Sequence, residues 1–427
     1  MSFDFPAELL ALADRAEAAL APQFAHIARI SRYHTERVMA AFAEHHVDTA
    51  CFNGTAGYGY DDRGRDVLDR IFADVMGAES AFVRHNIVNG THALTIGLFG
   101  LLRPNDILLS IAGKPYDTLG EVIGIAGTPG NGSLADYGVT YRQIELVDGK
   151  TFDFDAIGSF LRSPEGERVK VCFIQRSKGY LNRRTLTVDE IGEAVKFVKS
   201  IRPDAFVVVD NCYGEFTEEK EPPMVGADLA IGSLIKNPGG GFAETGGYLA
   251  GTARAVELCS YRLTCPGIGL EVGATLDQNK HMYRGLFYAP HTVAEALKTA
   301  HFAAYIFAEM GYTVEPRWQE QRADIIQTVL TESPEGLCAL CRGIQAGSPV
   351  DAYVTPEPWA MPGYQDQVIM AAGTFVQGAS IELSADGPLK PPYTAFLQGG
   401  LTFESGRVGI LTAAREVLRS CGAKREI

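Results

Sequence analysis

Two apolar runs, each ending in one ionisable side chain, constrain this chain more than anything else in it. Val207-Val208-Val209 stops at Asp210 and continues Asn211-Cys212-Tyr213. Ser233-Leu234-Ile235 stops at Lys236 and continues Asn237-Pro238 and three glycines. The two ionisable residues stand 26 positions apart. The valine run reads as a strand buried on both faces, and the second run as a short strand. Upstream, Val169–Ile174 reads as another strand. Thr187-Val188-Asp189-Glu190 is a capping box, opening a helix with Ile191, Ala194, Val195 and Val198 on one side. Strand, capped helix and strand in so short a span make a βαβ unit, which requires a parallel sheet covered on both faces. Ligands of such sheets bind beyond the carboxyl ends of the strands. Asp210 and Lys236 are therefore expected at one ligand-binding edge.

The remainder of the chain supplies candidates for that edge. Residues 7–20 and 23–46 read as helices, the first an N-terminal arm. Gly54–Arg65 holds four glycines, Tyr58, Tyr60, Arg63 and Arg65, and reads as a loop. It is either a surface connector or an aromatic and arginine clamp for an anion. Ala81–Arg84 reads as a strand. Asn89-Gly90-Thr91-His92 then opens an apolar helix, whose free N–H groups suit a phosphate or simply take an Asn or Thr cap. Tyr116 follows a strand at 106–110 and could stack on a flat cofactor, with His92 as its rival. Residues 121–150 look irregular. Glycines 239–241 are expected to let the backbone approach a ligand, before a strand at 244–250. Helices fill roughly 252–310. Beyond Gly311, a four-proline loop at 349–362 precedes strands at 367–376 and 379–383. The end reads as strand, turn, strand, helix. No internal repeat is visible.

Bulk properties bound the function class. A chain of 427 residues exceeds one core, so two domains are expected. The division is 1–50 as a helical arm, 51–310 as the large domain and 311–427 as the small one, with contributions from the N-terminal arm. A net charge of −14 disfavours nucleic acid and anionic membrane as partners. No run is long enough to span a bilayer, and the N-terminus lacks the basic and apolar regions of a signal peptide. With eight scattered cysteines this points to a reduced, cytoplasmic protein. Cys338 and Cys341 form a lone CxxC without the second pair a zinc site needs, and read as helix-buried thiols. No metal site is expected.

A lysine and an aspartate at one sheet edge suit pyridoxal 5′-phosphate (PLP): the amine takes the aldehyde, and the carboxylate pairs with the pyridine nitrogen. Taken alone, Lys236 could equally be a solvated lysine at a strand end. The order of a Tyr/Arg loop, a Gly-Thr helix start, a strand-end tyrosine, Asp-Asn-Cys-Tyr and Ser-Leu-Ile-Lys before glycines resembles the type-I PLP-dependent fold, in its cystathionine- and methionine-lyase branch. More narrowly, several runs resemble the methionine γ-lyase-family proteins labelled aluminium-resistance proteins. They are Gly57-Tyr58-Gly59-Tyr60-Asp61, Gln175-Arg176-Ser177, Ser233–Gly240, Tyr353–Trp359 and Ala379–Ser384.

The resemblance implies an aspartate aminotransferase-like α/β fold: a mainly parallel sheet with helices on both faces, plus a smaller α/β C-terminal domain. It implies Lys236, Asp210 and Tyr116 as the catalytic set. Lys236 links to the cofactor, Asp210 pairs with the ring nitrogen, Tyr116 stacks on the ring, and Tyr213 meets the ring hydroxyl. Gly90, Thr91 and Ser233 hold the phosphate. Tyr58 or Tyr60, with Arg63, reaches the phosphate of a neighbouring subunit, so a homodimer or homotetramer is implied. Arg176 is the first choice for the substrate carboxylate and Arg407 its rival. Two features depart from the better-known lyases: Ile235 stands where they carry threonine, and Tyr60-Asp61-Asp62-Arg63 spaces the clamp differently. The implied activity is carbon–sulfur bond cleavage in a sulfur-containing amino acid, of the cystathionine β-lyase or methionine γ-lyase kind. The alternatives are an aminotransferase, a decarboxylase, or a stress protein that binds PLP without turnover.

Overall fold

The structure, a computed structural model, describes residues 3–181, 183–361, 364, 366–422 and 424. Seven strands form the larger sheet: β1 (Ser80–Arg84), β2 (Ile107–Ser110), β3 (Thr140–Gln143), β4 (Val169–Gln175), β5 (Phe206–Asp210), β6 (Leu229–Ser233) and β7 (Gly247–Gly251). Their order is β1-β7-β6-β5-β4-β2-β3. Strands β2 to β6 pair in parallel, and β7 runs antiparallel to both β6 and β1. The second sheet is antiparallel: β8 (Thr313–Glu315), β9 (Gln327–Leu330), β10 (Val368–Ala371), β11 (Ser384–Pro388) and β12 (Thr394–Gln398), in the order β10-β11-β12-β9-β8.

Eleven α-helices accompany these strands among the described residues: α1 (Ala7–Ala19), α2 (Ala21–Glu44), α3 (Arg63–Met76), α4 (Gly90–Leu101), α5 (Asp117–Ile123), α6 (Phe154–Leu161), α7 (Val188–Ile201), α8 (Ala253–Leu263), α9 (Asn279–Glu309), α10 (Pro334–Ala346) and α11 (Phe403–Cys421).

Alternation along β5 explains why its valines are unbroken. Val207 and Val209 join Leu109, Cys172 and Ile174 under Ile191 and Val195 of α7. Val208 faces the other way, joining Leu108, Val171 and Phe173 under Leu94 and Leu98 of α4. Burying each valine is worth about 1.5–3 kcal/mol, so a polar residue anywhere in the run would cost the sheet one of its two cores. The capping box forms as read: Thr187 and Glu190 bond each other's backbone at the start of α7. Helix α1 packs against the C-terminal part of the chain. Leu9, Leu12 and Ala16 are buried with Phe302 and Phe307 of α9 and Ile410 and Val417 of α11.

Several local expectations need correction. Helix α2 starts at Ala21, because Pro22 fits its first turn, where no N–H is needed. The Gly/Tyr loop ends at Asp62, whose carboxylate caps α3 through the Arg65 N–H at 2.9 Å, so Arg63 and Arg65 are helical. The stretch 121–150 contains the end of α5 and all of β3, an edge strand with little apolar pattern. Residues 379–383 form a turn, and β11 begins only at Ser384. Pro362 lies outside the described residues. Glycines 239–241 serve packing rather than a ligand. A Cβ on Gly240 would sit 2.4 Å from the Gly285 carbonyl of α9, and one on Gly241 2.4 Å from Leu401.

Candidate active site

The carboxyl ends of β2, β4, β5 and β6 share one edge, and a cavity of about 450 Å³ opens there, closed on its far side by the small sheet. Asp210 reaches it as the last residue of β5. Lys236 arrives three residues after β6, not at the strand end itself, and caps a short 3₁₀ turn. Tyr116 precedes α5, and Gly90 and Thr91 open α4. Thus Lys236, Asp210, Tyr116, Tyr213, Gly90, Thr91 and Ser233 all line this one cavity.

The Lys236 amine lies 4.0 Å from the centroid of the Tyr213 ring. Tyr213 has φ 74°, a strained conformation for a tyrosine and one that concentrates at functional sites. Asp210 accepts the Cys212 N–H at 3.1 Å. Burial pushes the Asp210 carboxyl up, and the attraction of Lys236 draws it partly back. For Lys236, burial works against the charged amine, but Cys212, Tyr213, Asp210 and Tyr116 hold it well above its usual range. The Tyr116 hydroxyl is 2.8 Å from the Thr91 hydroxyl, and its backbone N–H donates to Gln175 at 2.7 Å. Burial raises this phenol, which therefore stays protonated. His92, the rival stacker, turns away: its Nδ1 accepts the Val88 N–H at 3.1 Å on the exposed turn.

These residues fit a phosphate-bearing aldehyde. The Asn89 side chain caps the His92 N–H, while the first helical N–H groups, at Gly90 and Thr91, have no partner within a helix by geometry. Beside them the Ser233 hydroxyl is fully buried and has no hydrogen-bond partner. A Cβ on Gly90 would stand 3.4 Å from Cys212 Sγ, 3.6 Å from Ser233 Cβ and 3.9 Å from Lys236 Nζ, so the missing side chain leaves a hollow between them. N–H groups, an unpaired hydroxyl and a helix N-terminus suit an anion; the amine and carboxylate beside them suit the aldehyde and ring nitrogen.

Arg176 must be corrected. It does not line the cavity. The side chain is wholly buried behind the site, donating to Asn211 at 2.7 Å and Glu218 at 2.5 Å, with Glu221 at 4.0 Å. A guanidinium so occupied has no fork left for a substrate carboxylate. It belongs to a buried network in which Asn211 also donates to Glu221 and lies beside the Tyr248 hydroxyl, and Tyr248 donates to Glu215. Arg407 is no substitute, since it pairs with Glu17 and Asp14 beside α1. Arg63 pairs with Asp48, and the Tyr58 and Tyr60 rings lie tilted against each other, 5.6 Å between centroids, in the open and away from this chain's own cavity.

Sequence reasoning missed the far wall, which includes Tyr180, Tyr364, Ser380, Asp386, Phe396 and Gln398. Ser380 falls in the Ala379–Ser384 run, but no single motif joins the six, because they come from separate loops and strands. All eight cysteines are free, including Cys338 and Cys341 on α10. Among the described residues no group of three His, Cys, Asp or Glu could hold a metal, and no helix is long and apolar enough to cross a membrane.

With this geometry in hand, known proteins can be compared. The family model for methionine gamma-lyase matches residues 9–418. The uncharacterised protein YnbB of Bacillus subtilis is 50% identical over 403 residues, 94% of this chain and 95% of that one. A solved structure from Clostridium novyi, described as a carbon-sulfur lyase involved in aluminium resistance, is 48% identical, with a TM-score of 0.92 over 96% of each chain. One from Listeria monocytogenes, provisionally named a cystathionine beta-lyase involved in aluminium resistance, is 47% identical, with a TM-score of 0.92 over 96% of this chain and 100% of that one. The fold alone extends to the PLP-dependent protein YhfS of Escherichia coli, at 16% identity and a TM-score of 0.60 over 92% of this chain and 97% of that one. The architecture is the type-I PLP-dependent fold, PLP is the cofactor, and the chain belongs to the methionine gamma-lyase family.

Proposed function

We propose that this chain cleaves a carbon–sulfur bond in a sulfur-containing amino acid, releasing a thiol, by β or γ elimination. The observation that carries the reading is the convergence of Lys236, Asp210 and the unpaired Ser233 hydroxyl in one buried cavity. PLP bound there supplies an electron sink for the carbon that loses its proton. Lys236 would hold the aldehyde, and its Nζ would serve as the base for the substrate's α-proton. Asp210 keeps the ring nitrogen protonated. That role needs an ionised carboxylate, and the positive charge of Lys236 offsets part of what burial removes. Gly90, Thr91 and Ser233 bind the phosphate. Tyr116, held by Thr91 and Gln175, would stack on the ring, and with its phenol raised by burial it would donate a proton rather than accept one. Tyr213 meets the ring hydroxyl. Tyr58, Tyr60 and Arg63 complete the site of a neighbouring subunit in a homodimer or homotetramer, which accounts for their standing outside their own cavity. The two-domain division near residue 311 is part of the same reading, since it places the cleft between the two sheets.

The test is direct. Purified protein loaded with PLP is mixed with cystathionine, methionine or cysteine and assayed for keto acid and free thiol. Both products are expected from at least one substrate. Transfer of the amino group or loss of CO₂ in place of thiol release would reassign the reaction.

A further inference from the structure

The loop after β4 lines two cavities in succession. Ser177 lines the main one, and the next residue, Lys178, lines a separate cavity of about 110 Å³. Gly179, at φ 57°, turns the chain between them, and Tyr180, Leu181 and Phe396 form the wall that the two cavities share. Lys178 is 3% exposed, yet its amine makes no hydrogen bond and no ion pair with any described residue. Nor is the amine sealed off: unlike Ser233 Oγ or Arg183 Nε, it is not among the fully enclosed unpaired atoms. The acids near it supply no partner. Asp324 acts on it only through space, and its two oxygens already accept from Ser177, Thr185 and the Ile326 N–H. Glu315 is exposed and stays beyond ion-pair reach. Arg322 and Arg183 act on the amine in the opposite sense, and both donate only to carbonyl oxygens. Lys390, the other lining cation, is half-exposed and pairs with Asp366 at 2.9 Å. Thr394 of β12 lines the same cavity, and its hydroxyl makes no hydrogen bond with a described residue.

We infer that Lys178 and Thr394 hold one small oxyanion, a phosphate or a short carboxylate, in this side cavity. A buried ammonium without a counter-charge is costly. An oxyanion supplies the charge and accepts hydrogen bonds from both side chains. The cavity is several times the roughly 10–15 Å³ that one water requires, so a small ion fits. Lys178 belongs to the loop after β4 and Thr394 to the small sheet. The bound ion therefore ties the two sheets together beside the wall of the active site. The site is independent of the reaction assigned to the main cavity.

PLP-loaded protein is titrated by calorimetry with inorganic phosphate and, separately, with acetate, at an ionic strength held constant with sodium chloride. Loading with PLP keeps the phosphate site proposed at Gly90 occupied. At least one of the two ions should bind saturably, one per chain. Phosphate alone would make the site one for tetrahedral ions, and acetate alone one for carboxylates. Lys178→Met should weaken the binding at least about tenfold, as for a hydrogen bond to a charged group. Thr394→Val should weaken it at least about threefold, as for the loss of one hydrogen bond. Failure of both ions to bind the unaltered protein overturns the inference, and that result needs no variant. Undiminished affinity in a folded Lys178→Met protein overturns it too. If that variant does not fold, undiminished affinity in Thr394→Val decides against the site in the same way.

Discussion

Gly90→Ala separates cofactor binding from folding, because the two should move in opposite directions. Gly90 is the first residue of α4 and is not in the left-handed region, so alanine fits its backbone. The added methyl would lie 3.4, 3.6 and 3.9 Å from Cys212 Sγ, Ser233 Cβ and Lys236 Nζ, all ordinary contacts. The cofactor-free protein should therefore gain about 0.4–1 kcal/mol, mainly by restricting the unfolded chain. The same methyl occupies the hollow assigned to the phosphate. Overfilling a formed site costs about 1–3 kcal/mol, which corresponds to roughly 5- to 150-fold weaker PLP binding. Equilibrium titration of the cofactor-free variant with PLP, followed by absorbance, measures the second effect. Denaturant unfolding of the same preparation measures the first. Undiminished PLP affinity would show that the phosphate does not sit at Gly90. A destabilised cofactor-free variant would show that the packing around that residue has been misread.

Other consequences follow from the same geometry. Arg176→Ala removes the counter-charge of Glu218 and Glu221 behind the site. It should cost about 3–5 kcal/mol of unfolding free energy; a stable variant whose only defect is a raised KM would return Arg176 to the substrate. Burial, aided by Glu221, pushes Glu215 up to about 8 from a usual value near 4.5. A carboxyl raised by folding is protonated in the native state and ionised in the unfolded one between those values, so it lowers stability as pH rises from about 4.5 to 8. Glu215→Gln should remove that slope, and denaturant curves across this range that parallel those of the unaltered protein would refute the assignment. If Arg63 serves a neighbouring site, Lys236→Ala and Arg63→Ala proteins should each be inactive. Co-refolded in equal amounts they should recover about a quarter of full activity through mixed dimers. No recovery would confine Arg63 to its own chain.

Legibility in the sequence followed the locality of the physics. Asp210 and Lys236 could be placed because each terminates an apolar run, and the capping box at Thr187 marks its helix by local chemistry alone. Gly90 and Thr91 were visible as a helix start for the same reason. Arg176 misled because, directly after β4, it stands at a strand end as Asp210 does at the end of β5. Its direction is decided by Asn211 and Glu218, 35 and 42 residues away. The glycines after Lys236 suggested a ligand, yet Gly240 approaches α9 and Gly241 approaches Leu401, neither of which a local pattern announces. Asp386 stayed hidden because its neighbours in space are Tyr180, Tyr364 and Gln398, brought together only when the second sheet closes the cleft. The strand misplaced at 379–383 reflects an apolar alternation that the fold spends on a buried turn, with Ala379 and Ile381 inside.

Borohydride reduction of the PLP-loaded protein, followed by peptide mapping with mass spectrometry, tests the central claim most directly. The account predicts one pyridoxyl-modified peptide, carrying the label on Lys236, and no label at that position in Lys236→Ala. A label fixed to Lys114, Lys178 or any other lysine, or none in protein that nonetheless retains PLP, would contradict it.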